Sequence, residues 1–85
     1  MTAHPTDFQG SVEEALLTAI ENALPGAHAE VRGSGGHFSL VVVSPVFEGK
    51  AMLDSHRLVY SAIAPLMSGD RAPVHAIDSL ITRAH

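Results

Sequence analysis

Cysteine is absent from this 85-residue sequence, and so is tryptophan. Without a thiol the chain cannot form a disulfide, use a thiolate nucleophile or hold a metal on cysteine sulfur of its own. Any metal must rest on His, Asp or Glu, or on a partner. Positive charge is scarce as well. Five Lys and Arg stand against nine Asp and Glu, a net charge of −4 with His neutral, which opposes the field that nonspecific nucleic-acid binding uses. No apolar run approaches the roughly 18 residues of a membrane span. The opening MTAHPTDFQG has no basic segment followed by an apolar core, so it does not read as a secretory signal, and the expectation is a soluble, cytoplasmic protein without a membrane partner. A phosphate-cradling loop of glycines and lysine is missing, and no paired carboxylates stand out at helical spacing in an apolar setting. Hydrolase and nucleotide-binding readings therefore lack support.

What the chain does have is apolar residues, 46% against 16% charged, enough burial to offset the entropy of ordering. Its length suits one domain, since two cores would each be marginal. Residues 1–10 carry Pro5 and Gly10 without periodicity and read as a loose N-terminal arm, leaving residues 11–85 as a single domain.

The stretch SVEE sets Ser11 and Glu14 at the spacing of a capping box. Val12, Ala15, Leu16, Ala19, Ile20, Ala23 and Leu24 then form one helical stripe, ended by Pro25 and Gly26. AHAEVR alternates apolar and polar residues as a strand with one wet face does. Gly33 to Gly36 can supply the positive φ angles of a reversal, so the next strand folds back as a hairpin. From Phe38 to Val43 only Ser39 is polar, which predicts a central strand covered on both faces. SPVFEGK is a connection. Asp54 or Ser55 can cap a second helix with the stripe Leu58, Val59, Ala62, Ile63 and Leu66, and Pro65 predicts a kink or a stop near Ala64. SGDRAP is a turn-rich linker, and VHAIDSLIT reads as a last strand with imperfect alternation. The order helix, strand, strand, helix, strand gives an α+β fold, helices covering a small mixed sheet.

Three groups of residues invite chemistry. DSH at positions 54–56 contains the residue types of a catalytic triad, but consecutive helical residues point about 100° apart and cannot align as orienter, base and nucleophile. Lys50, His56 and Arg57 gather around the start of the second helix and could meet a nucleic-acid backbone or an acidic partner. The GxxG loop that KH domains use is not found between the strands and that helix. His37 and His75 each stand where a strand begins. Two imidazoles are half a ligand set, and some [2Fe–2S] centres hold one iron on a pair of histidines, so a partner bringing thiolates could complete a shared cluster.

The run VVVSPVFEGKAMLDSHRLVYSAIAPL, followed by VHAI, resembles the BolA-like family. The match covers about Val31 to Ile77, and its most specific elements are VVS then FEGK, HRLVY, and a His before Ala and an aliphatic residue. The resemblance implies a three-stranded mixed sheet in a class II KH-like architecture. The family usually continues from the third strand into a further short helix, which is truncated here, an arrangement that favours weak homo-oligomers. The resemblance also implies a non-enzymatic adaptor that pairs with a monothiol glutaredoxin. The pair shares a [2Fe–2S] cluster whose other ligands are the glutaredoxin cysteine and a glutathione thiol, and the isolated chain binds no cofactor. Roles in iron–sulfur trafficking and iron homeostasis follow, with transcriptional regulation through DNA as the alternative. His75 looks like the C-terminal ligand of the family. The second family ligand is a Cys or His in the loop between the first two strands. Counted back from Phe38 without gaps, that position is Ser34; with a shortened loop it is His37. His37 also matches a further histidine that many members carry just before this Phe, which would leave the loop ligand missing and apo docking alone. His75 and His37 are thus the candidate metal ligands, and Lys50, His56 and Arg57 the candidate partner or nucleic-acid surface.

Overall fold

The structure, a computed structural model, describes residues 11–85; the N-terminal arm expected over residues 1–10 lies outside the described residues. Helix α1 spans Val12–Ala23, strands β1 and β2 span His28–Ser34 and His37–Val43, helix α2 spans Met52–Ile63 and strand β3 spans Ala76–Arg83. Short 3-10 turns at Pro45–Phe47 and Ala64–Leu66 flank α2. The sheet runs β1-β2-β3, with β1 and β2 antiparallel and β2 and β3 parallel. This is the expected α+β order, two helices against a three-stranded mixed sheet.

Local chemistry explains each boundary. Ser11 caps α1 by accepting a hydrogen bond from the Glu14 N–H at 3.2 Å, which satisfies one of the N–H groups orphaned at a helix start. Pro25 and Gly26 (φ 63°) end that helix. Ser34 pairs with His37, so Gly35 and Gly36, with φ of 62° and 85°, form a two-residue hairpin turn that needs residues free to adopt positive φ. Pro65 stops α2 at Ile63, as its missing N–H requires.

Two expectations are corrected. Neither Asp54 nor Ser55 caps α2: the cap is Ala51, without a side-chain hydrogen bond, and Ser55 is a buried first-turn residue. The 3-10 turn after β2 carries the chain into the helix three to four residues earlier than the polar residues suggest, and the Ser55 N–H already reaches the Ala51 carbonyl. Strand β2 is not covered on both faces either. Phe38, Leu40 and Val42 are buried, whereas Ser39, Val41 and Val43 are only half-buried. The core explains why: Leu16 and Ile20 of α1, Leu24 at its C-cap, and Val59 and Ile63 of α2 gather on that one set of β2 side chains, so among the described residues a single helical layer covers the sheet and its outer face has no second one.

Ser44, fully buried, ties the end of α1 to the turn that follows β2. Its hydroxyl donates to the Pro25 carbonyl at 2.7 Å and accepts from the Val46 N–H at 3.2 Å. Val74, also buried, holds the linker before β3 in the core, its N–H bonded to the Leu66 carbonyl.

Candidate functional site

The parallel pairing of β2 and β3 brings the start of β3 to the hairpin tip, with Ala76 opposite His37. The Gly36 carbonyl accepts from both the His75 N–H, at 2.7 Å, and the Ala76 N–H, at 3.0 Å. This forked bond fixes the His75 backbone against the turn. The His75 ring lies over Gly36: a Cβ on Gly36 would sit 2.9 Å from His75 Cγ and 3.0 Å from Cδ2. Glycine is therefore required at this position twice, for its φ and for the ring. Beside the ring is an open concavity of about 220 Å³, walled by the first turn of α1, the glycine turn, Phe38 and Pro73. His75 is exposed on its rim, and among the described residues no hydrogen bond or ion pair engages its ring.

His37 is close in the chain trace but turned elsewhere. Side chains alternate along β2, so His37 shares the outer face with Ser39 and Val41, while Phe38 points to the helices. The β2–β3 register slips at Phe38 and Ser39, whose partners are Ile77 and Ser79, so Asp78 is the extra residue of a bulge. Bulges re-aim side chains, and here the Asp78 carboxylate lies 3.2 Å from His37 Nδ1. The structure thus sets His75 beside the concavity and His37 on the outer face with Asp78. Ser34, the register partner of His37, is exposed at the same turn. No group of three or more His, Asp or Glu arranged to hold a metal occurs among the described residues.

Lys50, His56 and Arg57 sit around the first turn of α2, at the end of the sheet away from the hairpin tip. Lys50 and Arg57 are exposed and His56 half-buried, and Arg57 is 3.7 Å from Asp54 one turn back. Exposed Met52 and Leu53 lie between them, so the surface is apolar as well as basic. Sequence reasoning singles out His75 and this basic group as candidates, but it does not reach the Asp78 contact or the second demand on Gly36. The broken alternation of AIDSL is the available sign of the bulge.

No described helix is long and apolar enough to cross a membrane. The family model described as BolA-like protein matches residues 15–83. BolA-like protein 1 of Homo sapiens is 42% identical over 78 residues, an alignment covering 80% of this chain and 55% of that protein. The chain spans about half the length of the curated relatives it matches most extensively. A BolA protein homologue from Coxiella burnetii has the same fold at a TM-score of 0.71 and 36% identity, with 88% of this chain and 91% of that one covered. The DNA-binding transcriptional regulator BolA of Escherichia coli is 40% identical over 50 residues, 59% of this chain and 45% of that protein.

Proposed function

The chain belongs to the BolA-like family, and on that premise we propose that it is a non-enzymatic cytoplasmic adaptor that docks a monothiol glutaredoxin and lends His75 to a [2Fe–2S] cluster shared with that partner and glutathione. The observation that carries this reading is the His75 ring: exposed, unengaged by any described side chain, and backed by a turn in which only glycine fits. An imidazole so disposed has a nitrogen lone pair to offer a metal, and the adjoining concavity leaves room for a partner's group. The cluster, as cargo, brings iron and sulfide; with His75 as this chain's ligand, the three remaining positions have to be filled by the partner and glutathione, because this chain has no cysteine. What the chain itself does is hold one imidazole in place at the hairpin tip and present the surface that surrounds it. The role follows as iron–sulfur trafficking or iron homeostasis.

Gel filtration of the chain with a monothiol glutaredoxin and glutathione, with iron and sulfide measured across the peak, tests the proposal. A heterodimer carrying about two irons is expected from the cluster stoichiometry; separate elution with and without iron rules the partner out.

A second reading rests on the exposed Lys50 and Arg57 and on the relative named as a DNA-binding regulator. It predicts duplex DNA binding that falls steeply with salt and weakens in Arg57→Ala. Lack of binding at low salt removes it.

A further inference from the structure

We infer that Asp78 is a positioning residue: it fixes the tautomer and the direction of the His37 ring, so that, among the described residues, His75 is the imidazole left to face the concavity at the hairpin tip.

The bulge in β3 sets the geometry of this contact. In a regular parallel pair Asp78 would fall opposite Ser39, but Ser79 takes that place and Asp78 is left over. Its carboxylate then meets His37 Nδ1 at 3.2 Å, both side chains being more than half exposed. An ionised carboxylate only accepts hydrogen bonds, so the contact requires the proton on Nδ1. Carboxylates orient imidazoles in this way at many sites. Ala76 is the register partner of His37, and Asp78 lies two residues further along β3, so the contact draws the His37 ring along the outer face, away from the turn. His75 precedes Ala76 and lines the concavity with Phe38, on the helix side of the sheet. One residue of alternation therefore separates the two histidines, and Asp78 keeps them apart.

The bearing of this inference on a shared cluster rests on the adaptor reading, whereas the ring geometry can be measured on the chain alone. The first test is ¹⁵N NMR of the histidine side chains near pH 8.5, where imidazoles are about 99% neutral at an ordinary pKa. His37 is expected mainly as the Nδ1–H tautomer in the unmodified chain, and Asp78→Ala should abolish that preference while leaving the His75 signals unmoved. A His37 ring with Nε2–H predominant, or a tautomer balance that Asp78→Ala does not shift, overturns the inference, and so does movement of His75. Should the chain fail to assemble a cluster with glutaredoxin, these tautomer results still decide the matter. Where a cluster does assemble, its visible circular dichroism should survive His37→Ala and Asp78→Ala; loss in His37→Ala shows that His37 reaches the cluster and overturns the inference too.

Discussion

Gly36 concentrates the constraints of the hairpin tip in one residue. Its φ of 85° is a conformation that residues with a Cβ resist, and the His75 ring occupies the space a methyl would need. Gly36→Ala should therefore lower stability by about 1–3 kcal/mol and displace the His75 ring, read as a fall in melting temperature together with shifted His75 side-chain signals. Gly33 is under a related demand, since a Cβ there would run into the His37 carbonyl oxygen. Ser44 is a different kind of constraint. Its buried hydroxyl serves both the Pro25 carbonyl and the Val46 N–H, and Ser44→Ala leaves both without their partner at a cost of about 1–3 kcal/mol, measurable by urea unfolding. At this scale the sequence is partly legible. GSGG signals a turn and the VHAI run draws attention to His75, both being local patterns. Asp78 stays hidden because its role depends on a one-residue slip between strands distant in the chain, and no single-strand pattern records a register.

The elements are more legible than their edges. The stripe of α1 identifies its helix because apolar residues repeating every 3.6 positions over three turns line up on one side of a helix and on no other regular backbone, and Leu16 and Ile20, continued by Leu24 at the C-cap, are its buried line. Pro65 marks the end of α2 because its ring and missing N–H act wherever the rest of the helix goes. The start of α2 is illegible, since Asp54 and Ser55 have the chemistry of caps but the preceding 3-10 turn determines where helical geometry begins. The apolar run of β2 misleads for a deeper reason: Val41 and Val43 are as apolar as their neighbours, and only the number of layers decides which side is covered. Cutting Leu16 to Ala should cost about 2–5 kcal/mol in chemical unfolding, whereas Val41→Ala should cost less than half as much, because its side of the sheet is only partly covered. Equal losses would place a second layer on the outer face.

Across the whole molecule, α2 separates two surfaces. Its 12 residues span about 18 Å, running from the end where β2 finishes back toward the end where β3 begins. His75 and the glycine turn occupy one end, Lys50 and the first turn of α2 the other. Changes at Lys50 or Arg57 should accordingly weaken DNA binding, where it occurs, by several-fold with a shallower salt dependence, and leave cluster spectra unaltered. Two of the five Lys and Arg, Lys50 and Arg57, lie at that far end, with the Asp54 carboxylate 3.7 Å from Arg57. The most direct measurement of the central claim is visible circular dichroism after anaerobic reconstitution with a monothiol glutaredoxin and glutathione, comparing the unmodified chain with His75→Ala. The heterodimer's cluster bands should collapse or revert to those of glutaredoxin alone when His75 is removed. An unchanged spectrum on an intact heterodimer would contradict that claim.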